Sequence, residues 1–333
     1  MTYSSDDRPD INGRPLLDSR TDQSLYVRRA HDEDLVRSAI RRSLNTLVLG
    51  ARGSGKTSFL RALAYVLRRE GVPSAFVEGG TSTDAGALVE LISRRLAEVS
   101  GRTPGGGLRT DEPLLEAVRA LGSMGDPERR TVVLMDGLPS GADAHSLFGR
   151  LRDELWRLPF TWVVATDDDD RAALLTPPAD AFFELVIELR PLAISQQQEL
   201  LRKRGIGDAV ALAEQGTGNP RELLALARLV ATDGSSPAAL ARARLKRRAE
   251  ARRLGRPAEM VVAELEASGP LSASDERLLG RLGWTRERAV QVLKQLEAAR
   301  LVTTSLQKGP SGRPRKLYGL DTRAPLEPES DVP

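Results

Sequence analysis

The chain has 333 residues, 40% of them hydrophobic and only 4% aromatic, with 49 Lys/Arg against 46 Asp/Glu and a formal net charge of +3. Such a length exceeds one typical domain, so two or three are expected, with cores built mainly from Leu, Val and Ala. There is no cysteine and there are two histidines, His31 and His145; this excludes disulfides and thiolate chemistry and leaves little material for a zinc site or a Ser–His triad. No run of about 18 apolar residues occurs and the polar start MTYSSDDRPD is not a signal peptide, so a cytoplasmic protein without a membrane segment is expected.

Residues 1–24 are polar and read as a flexible arm. A helical pattern over 31–43 leads into an apolar run at 45–49, and then Gly50 to Thr57 reads G-x-x-x-x-G-K-[ST], followed at once by the helical apolar pattern of Phe59, Leu60 and Leu63. Strand, Gly-rich loop and helix in that order form the setting of a phosphate-binding P-loop. Glycines at 50, 53 and 55 let the backbone turn its N–H groups inward, and the new helix points its positive end at the same place. The candidate cradle is Gly50, Arg52, Gly53, Ser54, Gly55, Lys56, Thr57 and Ser58. Lys56 supplies an ammonium for the β- and γ-phosphates, and Thr57 a hydroxyl ligand for Mg2+. The spacing predicts binding of ATP or ADP.

Further along, a short strand is expected at 75–77 and helices at 84–98 and 113–122, with a Gly/Pro-rich loop between the two helices. The run at 131–135 ends in Asp136, a second buried strand at 161–165 ends at Thr166 and Asp167, and a fifth lies at 185–189. Continuous apolar strands alternating with helices predict an α/β fold with a parallel sheet and ligands at the strands' C-terminal ends. Asp136 is the candidate Mg2+-side carboxylate beside Thr57. The next residue is Gly137, where a second acid would orient the attacking water; Asp143 in the following loop is a candidate replacement. A slow, Mg-dependent ATPase or a nucleotide-gated switch is therefore expected.

After Arg190 and Pro191 the pattern is helical only, at 195–203, 208–215 and 221–231. At this point LYVRRAHDEDL (25–35), GARGSGKTSFL (50–60), TVVLMDG (131–137), LRPLAISQQQELLRKRG (189–205) and GTGNPREL (216–223) together resemble the AAA+/STAND group of P-loop ATPases, in particular its initiator-like branch related to origin-recognition ATPases. Arg28 stands where that group's entry motif has Gly. The resemblance implies that Tyr26, Val27 and Pro191 lie near the adenine. It also implies that Thr166 reads the γ-phosphate and that Arg221 reaches it from a helical lid, so that Lys56, Asp136, Thr166 and Arg221 form the catalytic set. Read without it, Thr166 ends a strand, Arg221 opens a helix and Tyr26 caps a core. A finger to a neighbouring subunit, another property of the group, has Arg150, Arg152, Arg157 and Arg171 as candidates.

Charge is unevenly spread. Residues 241–323 hold 19 Lys/Arg and 9 Asp/Glu, net +10, leaving 30 against 37, net −7, for the remainder. A basic C-terminal third points to a polyanionic partner. Within it, 241–256 reads as a basic helical linker, and 257–322 has a helix–helix–helix–hairpin pattern resembling a winged helix-turn-helix domain. Met260, Val261 and Leu265 are expected to face its core, as are Leu278, Leu279, Val290, Leu293 and Leu296; Ser272 to Asp275 reads as a capping box. The third helix, 286–300, leaves Arg286, Arg288, Gln291, Lys294 and Gln295 for a groove, and the loop KGPSGRPR places Arg313, Arg315 and Lys316 on a wing. Double-stranded DNA is the expected partner, with self-association or protein partners alongside. The acidic, Pro-rich end, 323–333, is expected to be disordered.

The expected architecture is thus an arm (1–24), a P-loop ATPase core (25–190), a helical lid (191–240), a basic linker (241–256), a winged helix-turn-helix (257–322) and a tail. The expected function is an ATP-binding switch that couples nucleotide state to DNA binding and assembly. The alternative is a signalling adaptor whose winged helix binds protein; a small-molecule kinase lacks a substrate motif.

Overall fold

Five apolar runs form one parallel sheet: β1 (Thr46–Gly50), β2 (Ser74–Val77), β3 (Thr131–Asp136), β4 (Phe160–Asp167) and β5 (Leu185–Glu188), in the order β2-β3-β4-β1-β5. The computed structural model describes residues 10–101, 113–126, 128–233, 236–308 and 314–321. The expected tail at 323–333, Arg313 and most of the Gly/Pro-rich loop lie outside them.

Successive side chains of a strand point to opposite faces, and the sheet uses both. Val48, Val132, Leu134, Val163 and Ala165 meet Phe59, Leu60, Leu63 and Leu67 of the helix Lys56–Arg69. Leu47, Leu49, Val133, Met135, Trp162 and Val164 meet Leu88, Ile92 and Leu96 of the helix Ala85–Ser100, with Phe148, Phe160 and Phe182. Two-sided burial is why these strands read as continuous apolar runs rather than as alternation. Parallel register sets Gly50 beside Asp167 and Asp136 beside Ala165, so the ends of β1, β3 and β4 converge.

Two expectations need correction here. The stretch read as an arm is folded from residue 10 onward. Ser19 caps a helix, Arg20–Leu25, and Asp22 is buried, accepting from Arg14 Nη1 at 2.6 Å and from the Leu17 N–H at 2.6 Å. A polar composition thus conceals a local ion pair and cap. The lid, read as one domain, is divided. The chain splits into a unit of Met1–Ala209 with Thr217–Arg221 and another of Val210–Gly216 with Glu222–Pro333, and the boundary falls inside the helix Pro220–Asp233.

In the second unit, the basic linker is a helix, Pro237–Leu254, that contributes Ala251 to the core. Arg244 pairs with Glu222 at 2.7 Å and with Glu266 at 3.2 Å, and Arg248 Nε donates to Glu266 at 2.8 Å. Helices Arg256–Ser268, Glu276–Leu282 and Arg286–Ala298 follow, then the antiparallel hairpin of β6 (Val302–Lys308) and β7 (Pro314–Leu320), with Leu271 bridging Tyr318. Val261, Val262, Leu265, Leu278, Val292, Leu293 and Leu296 fill the core; Leu279 and Val290 pack at its edge. Met260 is exposed, its expected place being taken by Val262. The second helix is capped by Asp275, whose Oδ1 accepts the Leu278 N–H at 3.3 Å, rather than by Ser272. Truncating fully buried Leu293 to Ala costs about 2–5 kcal/mol, to be read as lost hydrogen-exchange protection in the helix Arg286–Ala298.

Candidate nucleotide site

A loop that turns its N–H groups inward leaves its carbonyl oxygens needing donors from outside. Gly53 and Gly55 have φ of +84° and +98°, which only glycine takes without strain. The outward carbonyls are then met in turn. Lys56 Nζ donates to Gly50 O at 2.8 Å and to Ala51 O at 3.1 Å. Asn219 Nδ2 donates to Arg52 O at 2.8 Å, and the Arg221 N–H to Gly53 O at 3.4 Å. Arg29, itself buried, donates from Nη2 to Ser54 O at 2.8 Å and from Nη1 to Arg190 O at 2.6 Å. A Cβ on Gly53 would stand 2.7 Å from Asn219 Oδ1.

Lys56 also forms an ion pair with Asp167 at 2.7 Å, and Thr57 Oγ1 donates to Asp136 Oδ2 at 2.8 Å. Burial raises the Asp136 pKa above the ordinary carboxylate value, against the opposing effects of the Thr57 hydrogen bond and the Lys56 charge. The hydroxyl of Thr57 and the carboxylate of Asp136 are the hard oxygen donors that Mg2+ takes together with phosphate oxygens, and a dication would relieve the buried charge. Among the described residues no group of three or more His, Cys, Asp or Glu could hold a metal alone.

The remaining expected residues divide. Buried Thr166 donates its hydroxyl to Asp170, whose pKa burial raises. Arg221 is brought to the loop by its backbone; burial and then the charge of Arg52 lower its pKa, and among the described residues its guanidinium has no hydrogen bond or ion pair. Ser54 is buried, whereas Ser58 Oγ is engaged, accepting the Leu16 N–H at 3.2 Å. Tyr26 and Val27 are buried, Tyr26 packing with Leu16 and with Ala62 of the P-loop helix. Pro191 is exposed and lies so close to Gly218 that a Cβ there would meet it at 2.6 Å. Of the four finger candidates, Arg152 bonds Pro178 O, Arg157 pairs with Glu154 and Arg171 with Glu188; among the described residues Arg150 has no partner.

Gly137 has φ +77°, its N–H donates to Ala165 O at 2.7 Å, and an added Cβ would lie 3.1 Å from the Gly80 backbone. Asp143 does not replace the missing acid: its Oδ1 accepts the Ala85 N–H at 3.1 Å and its Oδ2 the Ser140 hydroxyl at 2.5 Å. Arg29, Asp167 and Asn219 were not singled out from sequence. Arg28 and Arg29 are adjacent and alike; Arg28 is the one turned outward, paired with Glu33 at 2.9 Å. Asp167 opens a run of four aspartates, with nothing to mark which meets a lysine.

In the second unit Arg286, Arg288, Gln291, Lys294 and Gln295 are all exposed, and Arg288 Nη1 donates to Gln291 Oε1 at 2.8 Å. Arg315 lies in β7 opposite Gln307, and Lys316 pairs with Glu297 at 3.1 Å. Among the described residues no helix is long and apolar enough to cross a membrane.

No protein-family model matches the chain, and no curated protein matches it. A Walker-type ATPase of Pyrococcus abyssi shares the fold at 14% identity and a TM-score of 0.52, over 93% of this chain and 96% of that one. The Cdc6p of Pyrobaculum aerophilum (16% identity, TM-score 0.48, 90% and 93% covered) and the Orc1 protein of Aeropyrum pernix, solved in complex with DNA (20%, 0.46, 94% and 91%), are more distant in shape and add no further argument. Strand order, P-loop placement and the first of these likenesses give the chain the fold of a Walker-type P-loop ATPase.

Two measurements test this geometry. Because burial raises the Asp136 pKa, the folded protein holds that proton more tightly than the unfolded chain does. Stability therefore falls as pH rises from about 4 through the raised value. Asp136→Asn removes this loss, so without nucleotide or metal its Tm exceeds that of the wild type at neutral pH and the gap closes on acidification. Gly137→Glu, which supplies the missing acid, lowers stability by about 1–3 kcal/mol through the left-handed backbone, measured by denaturant unfolding, and gives no gain in turnover.

Proposed function

We propose that this protein is an ATP-dependent switch: a P-loop ATPase core that binds Mg-ATP or Mg-ADP, hydrolyses it slowly, and sets the DNA-binding state of a C-terminal winged helix. The observation that carries the nucleotide half is the convergence of Lys56, Thr57 and Asp136 at adjoining strand ends, with Thr57 2.8 Å from Asp136. Bound Mg2+ supplies charge neutralisation at the phosphates. Lys56 exchanges Asp167 for a phosphate oxygen, and Arg221, a nearby cation whose guanidinium has no hydrogen bond or ion pair among the described residues, turns toward the γ-phosphate.

The DNA half is supported by the order helix, bridge, helix, helix, hairpin and by three exposed cations, Arg286, Arg288 and Lys294, on the third helix. That helix would lie in the major groove, with Arg315 and Lys316 of β7 against phosphates. Arg221 is followed by Glu222, the acid that pairs with Arg244, which also holds Glu266. A pull on Arg221 by phosphate thus acts one residue from the ion-pair network of the second unit. Assembly would follow nucleotide state, with Arg150 offered to a neighbouring copy.

The protein should bind duplex DNA with a log–log salt slope of about −3.6 to −5.4, from some four to six phosphate contacts, and with different affinity in ATP, ADP and no nucleotide. Lys56→Ala should lose ATP binding and that nucleotide dependence together. Absence of DNA binding in dilute salt would remove the DNA half and leave the adaptor reading.

A further inference from the structure

Gly137 leaves the end of β3 without a second acid, Asp143 is committed to the Ala85 N–H and the Ser140 hydroxyl, and Asp167 is committed to Lys56. The sheet offers another acid from the opposite side. Parallel pairing sets Val77 of β2 beside Met135 of β3, so Glu78 and Asp136 leave their strands next to each other, about 4.8 Å apart across the sheet. They emerge on the face covered by the P-loop helix, as do Phe76 and Leu134 two residues earlier. That helix meets both acids from positions one turn apart: Thr57 donates to Asp136 at 2.8 Å, and Arg61 Nη2 donates to Glu78 Oε1 at 2.6 Å.

Arg61 is fixed in turn by stacking on Phe76, its guanidinium carbon 3.6 Å from the ring centroid. Glu78 is thereby held by one oxygen only; among the described residues nothing donates to Oε2. Its side chain is 51% exposed and lines a groove with Arg61, Phe76, Arg95, Glu98 and Val99. This arrangement has an oriented acceptor, a supporting cation and access to water.

We propose that Glu78 is the catalytic residue that orients and deprotonates the water attacking ATP, with Arg61 as its positioning residue. The inference rests on the P-loop's being an ATP site and deepens that reading. The water oxygen bonds to the γ-phosphorus as the bond from that phosphorus to the β–γ bridging oxygen breaks. ADP leaves with the electron pair of that bond, one water proton passes to Glu78 Oε2, and hydrogen phosphate is released. Glu78 then returns the proton to bulk water.

The test compares wild type, Glu78→Gln and Glu78→Asp for equilibrium binding of Mg-ATP and for single-turnover hydrolysis. Glu78→Gln should bind ATP within about threefold of wild type, which also shows that it folds, and should hydrolyse it about 100-fold more slowly or worse. Glu78→Asp keeps the carboxylate one methylene shorter and should fall between the two. Hydrolysis by Glu78→Gln within threefold of wild type overturns the proposal. Equal losses of binding and turnover also overturn it, since Glu78 would then serve binding. A wild type that binds ATP without hydrolysing it sinks the proposal and spares the nucleotide site. A wild type that binds no ATP sinks both.

Discussion

The carbonyl side of the P-loop is the constraint around which the first unit is built. Its N–H groups turn to the inside of the loop, so the carbonyls of residues 50–54 require donors from elsewhere. They come from three places far apart in sequence: Lys56 within the motif, Arg29 ahead of β1, and the turn at Asn219 to Arg221 after the last strand. Arg29 carries the heaviest burden, because its charge is buried and burial lowers its pKa. Two short hydrogen bonds to carbonyls, at Ser54 and Arg190, offset that cost and join the entry segment to the end of the core. The loop's shape is therefore a tertiary property, although its motif is local.

This explains which parts were legible in the sequence. The central strands β1, β3 and β4, buried on both faces, advertise themselves as apolar runs; the more exposed β2 and β5 are short apolar runs as well, so all five appeared within a residue or two of their observed bounds, and the P-loop followed from glycine spacing. Asp136 was legible because it ends such a run. Arg29 was not, because choosing between two adjacent arginines requires knowing which way the chain turns before the helix Ala30–Arg41. Asn219 was hidden for a related reason: its amide serves the Arg52 carbonyl, and backbone acceptors leave no trace in sequence. The folded segment at 10–24 was missed because only Leu16 and the ion-paired Asp22 are buried within an otherwise polar stretch.

The basic C-terminal third shows how net charge can mislead about free charge. On the helix Pro237–Leu254, Arg244, Arg248 and Arg252 are spent on Glu222, Glu266 and Glu259. Arg247 donates to Asp321 O at 2.9 Å. These arginines hold their own unit together, and Glu266, shared by two of them, is nearly inaccessible. Besides Arg242, Lys246 and Arg253 of that helix, exposed cations lie on the helix Arg286–Ala298, whose inner face of Ala289, Val292, Leu293 and Leu296 fixes its outer face. There the apolar periodicity, rather than the charge count, selects the exposed cations.

The ends of β2 and β3 bear on the question of the missing acid. Gly79, Gly80 and Gly137 approach so closely that a Cβ on Gly79 would lie 2.4 Å from the Gly137 carbonyl oxygen, and one on Gly137 would lie 3.1 Å from the Gly80 backbone. Glycine at 137 is thus part of a backbone contact between two strand ends, and its lack of a side chain is a packing requirement. The same contact draws the end of β2 against the end of β3, which brings Glu78 alongside Asp136. The feature that deprives one strand of a carboxylate places another within reach from its neighbour. A residue at the end of β2 can serve this purpose only if its carboxylate is turned toward the P-loop helix, and Arg61, one turn beyond Thr57, supplies that orientation.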